Sequence, residues 1–201
     1  SLLMACSRKL PAAFDHVKFG MWDRENFSGI ILKRKRIGII GCGRIGTWIG
    51  RYANAFGMEV WGYDPYVDPL PENFRRVSLM DLMSECDFIT IHIHLTEETK
   101  GMISKSCFEV IKPGVVLVNT SRGALIDQDA MLEALKAGRL GAAGLDVLEG
   151  EPDIDNNPLV EYARKHNNLI ITPHCGGFSP DAVALVSIHA TQKIFNELNG
   201  A

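Results

Sequence analysis

The segment Gly41-Cys42-Gly43-Arg44-Ile45-Gly46 has the residue types and spacing of a loop that cradles phosphate. In such a loop the first glycine permits a tight turn and the second lets a pyrophosphate approach the backbone. The third lets the following helix pack close to the preceding strand. Helix-starting residues such as Arg44 and Ile45 then offer unpaired N–H groups and the positive end of a dipole to the phosphates. Asp64 stands eighteen residues beyond Gly46, at the end of a second apolar run. A carboxylate there accepts hydrogen bonds from the adenosine ribose hydroxyls and repels a 2′-phosphate. Together these residues point to NAD. The alternative for Asp64 alone is a cap on the turn before Pro65. No Gly-Lys-Ser/Thr closes the loop, which disfavours a Walker-type phosphate site.

Polar residues also collect just after other apolar runs. They read His92-Ile93-His94-Leu95-Thr96, Asn119-Thr120-Ser121-Arg122-Gly123, Asp146 to Pro152, and Thr172-Pro173-His174-Cys175-Gly176. Separate strands thus carry an arginine, acids and a histidine to one edge, which is more than a fold alone requires. His92 and His94 have no third ligand nearby, so no metal site is expected. Cys175 lacks a separate base and is read as a packing residue. Lys33-Arg34-Lys35-Arg36 reads as a solvated lead-in to the first strand.

Positioning these groups requires short strands covered on both faces. Apolar runs of strand length occur at Arg36–Ile40, Met58–Tyr63, Asp87–Ile93, Gly114–Asn119, Ala142–Val147 and Asn168–Thr172. Most are apolar at successive positions, as in a parallel sheet with helices on either side. Helical patterns lie between them. Arg44–Phe56 sets Ile45, Ile49, Tyr52 and Phe56 on one stripe, and Asp127–Ala137 does so with Ala130, Leu132 and Leu135. Ser179-Pro180-Asp181 opens a helix running to about Leu198, and residues 1–18 carry a weaker helical pattern. The expectation is an α/β fold, a Rossmann-like doubly wound parallel sheet with flanking helices.

Composition is that of an ordinary globular chain: 201 residues, 46% hydrophobic and 22% charged, with net charge -3. That balance gives no pull towards nucleic acid or anionic membranes. The five cysteines are scattered with no CxxC pair, which fits a reducing, cytoplasmic setting. No apolar segment approaches the roughly 20 residues of a membrane span.

Taken with Ser7-Arg8-Lys9-Leu10-Pro11, Trp22-Asp23, Tyr63-Asp64-Pro65, Gly144-Leu145-Asp146-Val147 and Glu151-Pro152, these motifs cover nearly the whole chain in one order. The sequence resembles the coenzyme-binding domain of the D-isomer-specific 2-hydroxyacid dehydrogenases. The resemblance implies a catalytic trio of Arg122, Glu151 and His174. Arg122 would hold the substrate carboxylate and carbonyl with its guanidinium fork. His174 would exchange a proton with the substrate oxygen, and Glu151 would stabilise the imidazolium. It further implies that Ile93, His94, Thr99, Thr120, Ser121, Arg122, Asp146, His174 and Gly176 line the cofactor, with Asp146 facing the nicotinamide amide.

The sequence departs from the family at His94, where a proline is usual, and at Phe178-Ser179. An aromatic-serine pair there is similar to the C-terminal-binding corepressors, so an NAD-responsive regulatory protein is the alternative function. The resemblance makes residues 1–201 an NAD-binding domain, with 1–35 a leading helix and extended segment. The family's substrate domain would be largely absent, so the expectation is NAD binding with weak or no turnover of a 2-hydroxy or 2-oxo acid. It also implies a homodimer, with the segment near Trp22–Phe27 wrapping the partner.

Overall fold

The computed structural model describes residues 1–198. Seven strands form one sheet: β1 (Arg36–Ile40), β2 (Glu59–Tyr63), β3 (Arg75–Arg76), β4 (Phe88–Ile91), β5 (Val115–Asn119), β6 (Leu140–Leu145) and β7 (Leu169–Ile171). They are all parallel, in the order β3-β2-β1-β4-β5-β6-β7. The helices are α1 (Leu2–Ser7), α2 (Leu10–Lys18), α3 (Arg44–Ala55), α4 (Leu79–Glu85), α5 (Lys105–Val110), α6 (Gln128–Lys136), α7 (Pro158–Ala163) and α8 (Pro180–Leu198).

Alternate residues of each central strand feed two separate cores. Ile37 and Ile39 of β1 join Phe88, Val116, Val118, Ala53 and Cys6 on the face covered by α1 and α3. Ile40, Ile89, Ile91 and Leu117 join residues of α4, α5 and α6 on the other. This two-sided burial is why the strands read as unbroken apolar runs. Gly38 lets α4 close on β1, because a Cβ there would lie 2.3 Å from Leu82 Cδ2. Asp87 pins the lower ends of β1 and β4, accepting from the Arg36 amide at 3.0 Å and from Lys112 Nζ at 3.0 Å.

The expected fold class is the one observed, with differences in detail. β4 stops at Ile91, short of the expected Ile93, and β6 begins at Leu140 and ends at Leu145, earlier than expected. Residues 1–18 form two helices, broken at Lys9, whose φ is 51°. β3, α4, α5 and α7 were not anticipated; they are short elements of two to seven residues.

Of the stripe expected to bury α3, only Ile49 packs against the core, and it is only partly buried. Ile45, Tyr52 and Phe56 are exposed, whereas Gly46, Gly50 and Ala53 face the sheet. Small residues are needed there: a Cβ on Gly50 would stand 2.1 Å from the Phe74 ring, and one on Gly46 only 2.0 Å from the Gly41 carbonyl oxygen. α6 does bury Ala130, Leu132 and Leu135 as expected, and Asp127 caps it by accepting from the Ala130 amide at 3.0 Å. Ser179 caps α8 through the Ala182 amide at 3.1 Å, yet α8 buries no side chain among the described residues. No described helix is long and apolar enough to cross a membrane.

Candidate functional site

The chain leaves β1, builds β2 and β3 on one side, then returns to build β4 on the other. Ligands of such sheets bind outside the C-terminal strand ends at this reversal, where the loop after β1 lies between those after β2 and β4.

The glycine loop occupies that position, and its three glycines do three different things. Gly41 has φ +93°, and a Cβ on it would lie 2.5 Å from the His92 carbonyl oxygen and 2.7 Å from Ile93 Cγ2. Gly46 seals helix against strand as described. Gly43 is different: no heavy atom lies within 4 Å of where its Cβ would stand. That open surface sits at the N-terminus of twelve-residue α3, where no side chain caps the free amides. A phosphate fits there. Arg44 and Ile45 are exposed beside it.

Asp64 is joined to the same loop. Its Oδ2 accepts from the Cys42 amide at 2.8 Å, and its Oδ1 accepts from Tyr66 and Val67 amides at 2.9 and 3.0 Å. Burial alone raises its pKa, but these three bonds and the Arg76 charge outweigh it and hold the carboxyl below the usual range. Asp64 thus caps the turn before Val67 and also ties the turn to the glycine loop. Arg76 fixes the turn from β3, donating to the Asp64 carbonyl at 3.0 Å and the Val67 carbonyl at 2.6 Å.

At the far strand ends the structure brings His174 and Glu151 together: Nδ1 of His174 lies 2.6 Å from Glu151 Oε1. The other carboxylate oxygen, Oε2, accepts from the Leu148 amide at 3.1 Å, so the glutamate is held at both ends. His174 has φ 51°, in the left-handed region. Its loop is clamped by Asp146, which accepts from Thr172 Oγ1 and from the amides of Cys175 at 3.0 Å and Gly176 at 2.8 Å. Burial raises the Asp146 pKa, and these donors more than reverse it. Asp146 is therefore buried as a loop anchor beneath the histidine.

Arg122 stands exposed on the loop after β5, its Nη1 donating to the Ser121 carbonyl at 2.6 Å. Gly123 lets that loop meet the segment carrying Glu151, since a Cβ there would lie 2.1 Å from the Leu148 carbonyl carbon. Asn119, buried at the end of β5, holds the turn by donating to the Arg122 carbonyl at 2.8 Å and accepting from the Ser121 amide at 2.9 Å. Ser121 Oγ donates to the Ile91 carbonyl at 2.8 Å, linking the β4 and β5 ends. Asn119 and Gly123 thus position the site, and neither is among the residues expected from the sequence, although both lie within Asn119-Thr120-Ser121-Arg122-Gly123. The signal was a polar residue closing an apolar strand, followed by a small one after the arginine.

The remaining expected residues fall around this edge. Thr120 is exposed, and Ile93 packs on the glycine turn. Thr99 Oγ1 donates to the His94 carbonyl at 2.7 Å, so the His94 backbone shapes the turn while the residue itself is exposed. Cys175 is exposed too, which corrects its reading as a packing residue. His92 is largely buried and paired with Thr90 Oγ1 at 2.9 Å; burial pushes its imidazole down to about 4. Among the described residues no group of three or more His, Cys, Asp or Glu could hold a metal ion.

Comparison with known proteins decides the family. The D-isomer specific 2-hydroxyacid dehydrogenase NAD binding domain matches residues 1–176. The chain belongs to the D-isomer specific 2-hydroxyacid dehydrogenase family. It is 39% identical to D-3-phosphoglycerate dehydrogenase of Archaeoglobus fulgidus, over 100% of this chain and 38% of that protein. It is 38% identical to hydroxypyruvate reductase of Thermotoga maritima, over 98% of this chain and 64% of that protein. Among solved structures, the apo-structure of D-lactate dehydrogenase from Escherichia coli superposes with a TM-score of 0.87 at 32% identity, covering 99% of this chain and 62% of that one. An acyclic imino acid reductase in complex with NADPH and D-Arg gives a TM-score of 0.90 at 30% identity, covering 98% and 62%. This dehydrogenase-family domain thus spans between 38% and 64% of the length of these relatives.

Proposed function

We propose that the chain is the NAD-binding half of an enzyme that moves hydride between NAD(H) and a D-2-hydroxy acid/2-oxo acid pair. The observation carrying this reading is the His174–Glu151 contact of 2.6 Å on the same sheet edge as the open Gly43 surface. Bound at the glycine loop, the nicotinamide cofactor supplies or accepts the hydride. Arg122 orients the 2-oxo acid through paired hydrogen bonds to its carboxylate and carbonyl. His174 presents Nε2 to the substrate oxygen, giving a proton in reduction and taking one in oxidation. Glu151 sets which ring nitrogen faces the substrate and balances the imidazolium charge.

Asp64 supports NAD over NADP, because a 2′-phosphate would meet a carboxylate already held ionised by three amides. Ile93, His94, Thr99, Thr120, Ser121, Asp146 and Gly176 border the cofactor in this reading. The reading also includes a substrate domain, supplied outside these 201 residues, that closes the cleft, and pairing of two coenzyme domains.

The test is a panel of 2-oxo acids with NADH, run on the chain and on a longer form of the protein carrying it. Turnover by the longer form, lost in His174→Ala, supports the assignment. An inactive longer form that still binds NADH would favour a regulatory role instead.

A further inference from the structure

Two loops that flank the glycine turn are joined by a single side-chain bond. Tyr66 Oη, on the loop after β2, lies 3.0 Å from Glu98 Oε2, on the loop after β4. In the strand order β2-β1-β4 the end of β1 and its glycine loop lie between those two loops. The link therefore runs across the mouth of the crevice, on the side that starts from Asp64. Its two roots are fixed. The Tyr66 amide donates to Asp64 Oδ1 at 2.9 Å. Glu98 rides on a turn closed by Thr99 Oγ1, which accepts from the Thr96 amide at 2.8 Å and donates to the His94 carbonyl. The link itself is loose by comparison, since Tyr66 is 80% exposed and Glu98 is also at the surface.

We propose that the Tyr66–Glu98 bond is a strap over the adenine end of the cofactor crevice, opened and remade each time NAD(H) enters or leaves. The proposal rests on the reading that this crevice binds NAD. An adenosine whose ribose meets Asp64 extends its base away from the phosphates, between the loops after β2 and β4. The Tyr66 ring offers a flat apolar face to that base, while its hydroxyl remains free to reach Glu98. One solvent-facing hydrogen bond is weak enough to break on every exchange, yet its loss leaves no buried group unsatisfied. The strap thus acts on rates of exchange more than on affinity.

The experiment is stopped-flow NADH binding to the chain and to Tyr66→Phe, Glu98→Ala and Glu98→Gln. Tyr66→Phe and Glu98→Ala raise both association and release rate constants roughly two- to tenfold, the size of one such bond. Glu98→Gln, whose amide oxygen still accepts from the phenol, stays near the parent chain. Unchanged rates in Tyr66→Phe and Glu98→Ala with NADH still bound would overturn the strap alone. Faster release without faster association would also overturn it, leaving Tyr66 a plain contact. A parent chain that binds no NADH would overturn the cofactor reading beneath it.

Discussion

Glu151 holds His174 with one carboxylate oxygen at 2.6 Å and its own loop with the other, through the Leu148 amide at 3.1 Å. The histidine is thereby fixed against a backbone segment that Gly123 brings up to the Arg122 loop. Geometry and charge are both supplied by one side chain, so they separate on substitution. Glu151→Gln keeps a group able to bond the ring but loses the negative charge placed against it. In a form that turns over 2-oxo acids, kcat falls about 10²-fold while NADH affinity, measured by fluorescence titration, stays unchanged.

In the proposed reading Asp64 sets cofactor choice, and it also ties the glycine loop to the turn after β2. Asp64→Ala removes the acceptor for the Cys42, Tyr66 and Val67 amides. Thermal or urea unfolding then shows a loss of about 1–2 kcal/mol, and NADH binding weakens more than NADPH binding. Because the folded carboxyl lies below its ordinary range, its contribution is present above the unfolded pKa and is lost as pH falls through the folded one. Asp64→Asn has a flatter acid limb in its unfolding profile.

His92 gives the opposite chemical group the same sign. Its pKa is pushed from 6.5 to about 4, so between those values the unfolded chain binds a proton that the folded chain refuses. Stability falls as pH drops through that window and levels off below it, by at most about 3 kcal/mol for this group. His92→Gln loses that part of the slope in a pH series of urea midpoints. An unchanged slope would place His92 in contact with water.

The segment before β1 bears on assembly. Trp22 is 88% exposed, and Phe19 and Ile31 are 73% and 76% exposed. Pairing of coenzyme domains through this segment predicts a dimer mass in sedimentation, shifted towards monomer by Trp22→Ala. A parent chain that is monomeric at all concentrations contradicts it.

The central strands were legible because both faces are buried and their apolar runs admit few other readings. The fingerprint Gly41 to Gly46 was legible as a strand-to-helix loop, and Arg122, Glu151 and His174 as polar residues carried to one sheet edge. Their joining was not. Nothing in the spacing says that Asp64 bonds the Cys42 amide or that Asp146 clamps the His174 loop, because side-chain-to-backbone bonds leave no periodicity. β3 failed for a related reason, since Arg75 and Arg76 are exposed edge residues with no apolar face. In α3 the period was correct, but of the apolar stripe only Ile49 packs on the core. Apolar periodicity marks a helix, but closeness to the sheet selected Gly46, Gly50 and Ala53, the stripe that a hydrophobic count ignores.

That same contrast supplies the decisive comparison. A side chain on Gly46 meets the Gly41 carbonyl at 2.0 Å, so Gly46→Ala costs about 2 kcal/mol or more and damages the loop. A Cβ on Gly43 meets nothing in the protein, so Gly43→Val costs only about 1 kcal/mol as a poorer helix cap while occupying the space a pyrophosphate needs. Calorimetric titration of NADH into the chain and into Gly43→Val tests the glycine loop as the cofactor cradle. Saturable binding to the parent, abolished in a Gly43→Val chain that still unfolds cooperatively at a slightly lower midpoint, is the predicted result. Binding that survives Gly43→Val, or a parent that binds no NADH at millimolar concentration, would contradict it.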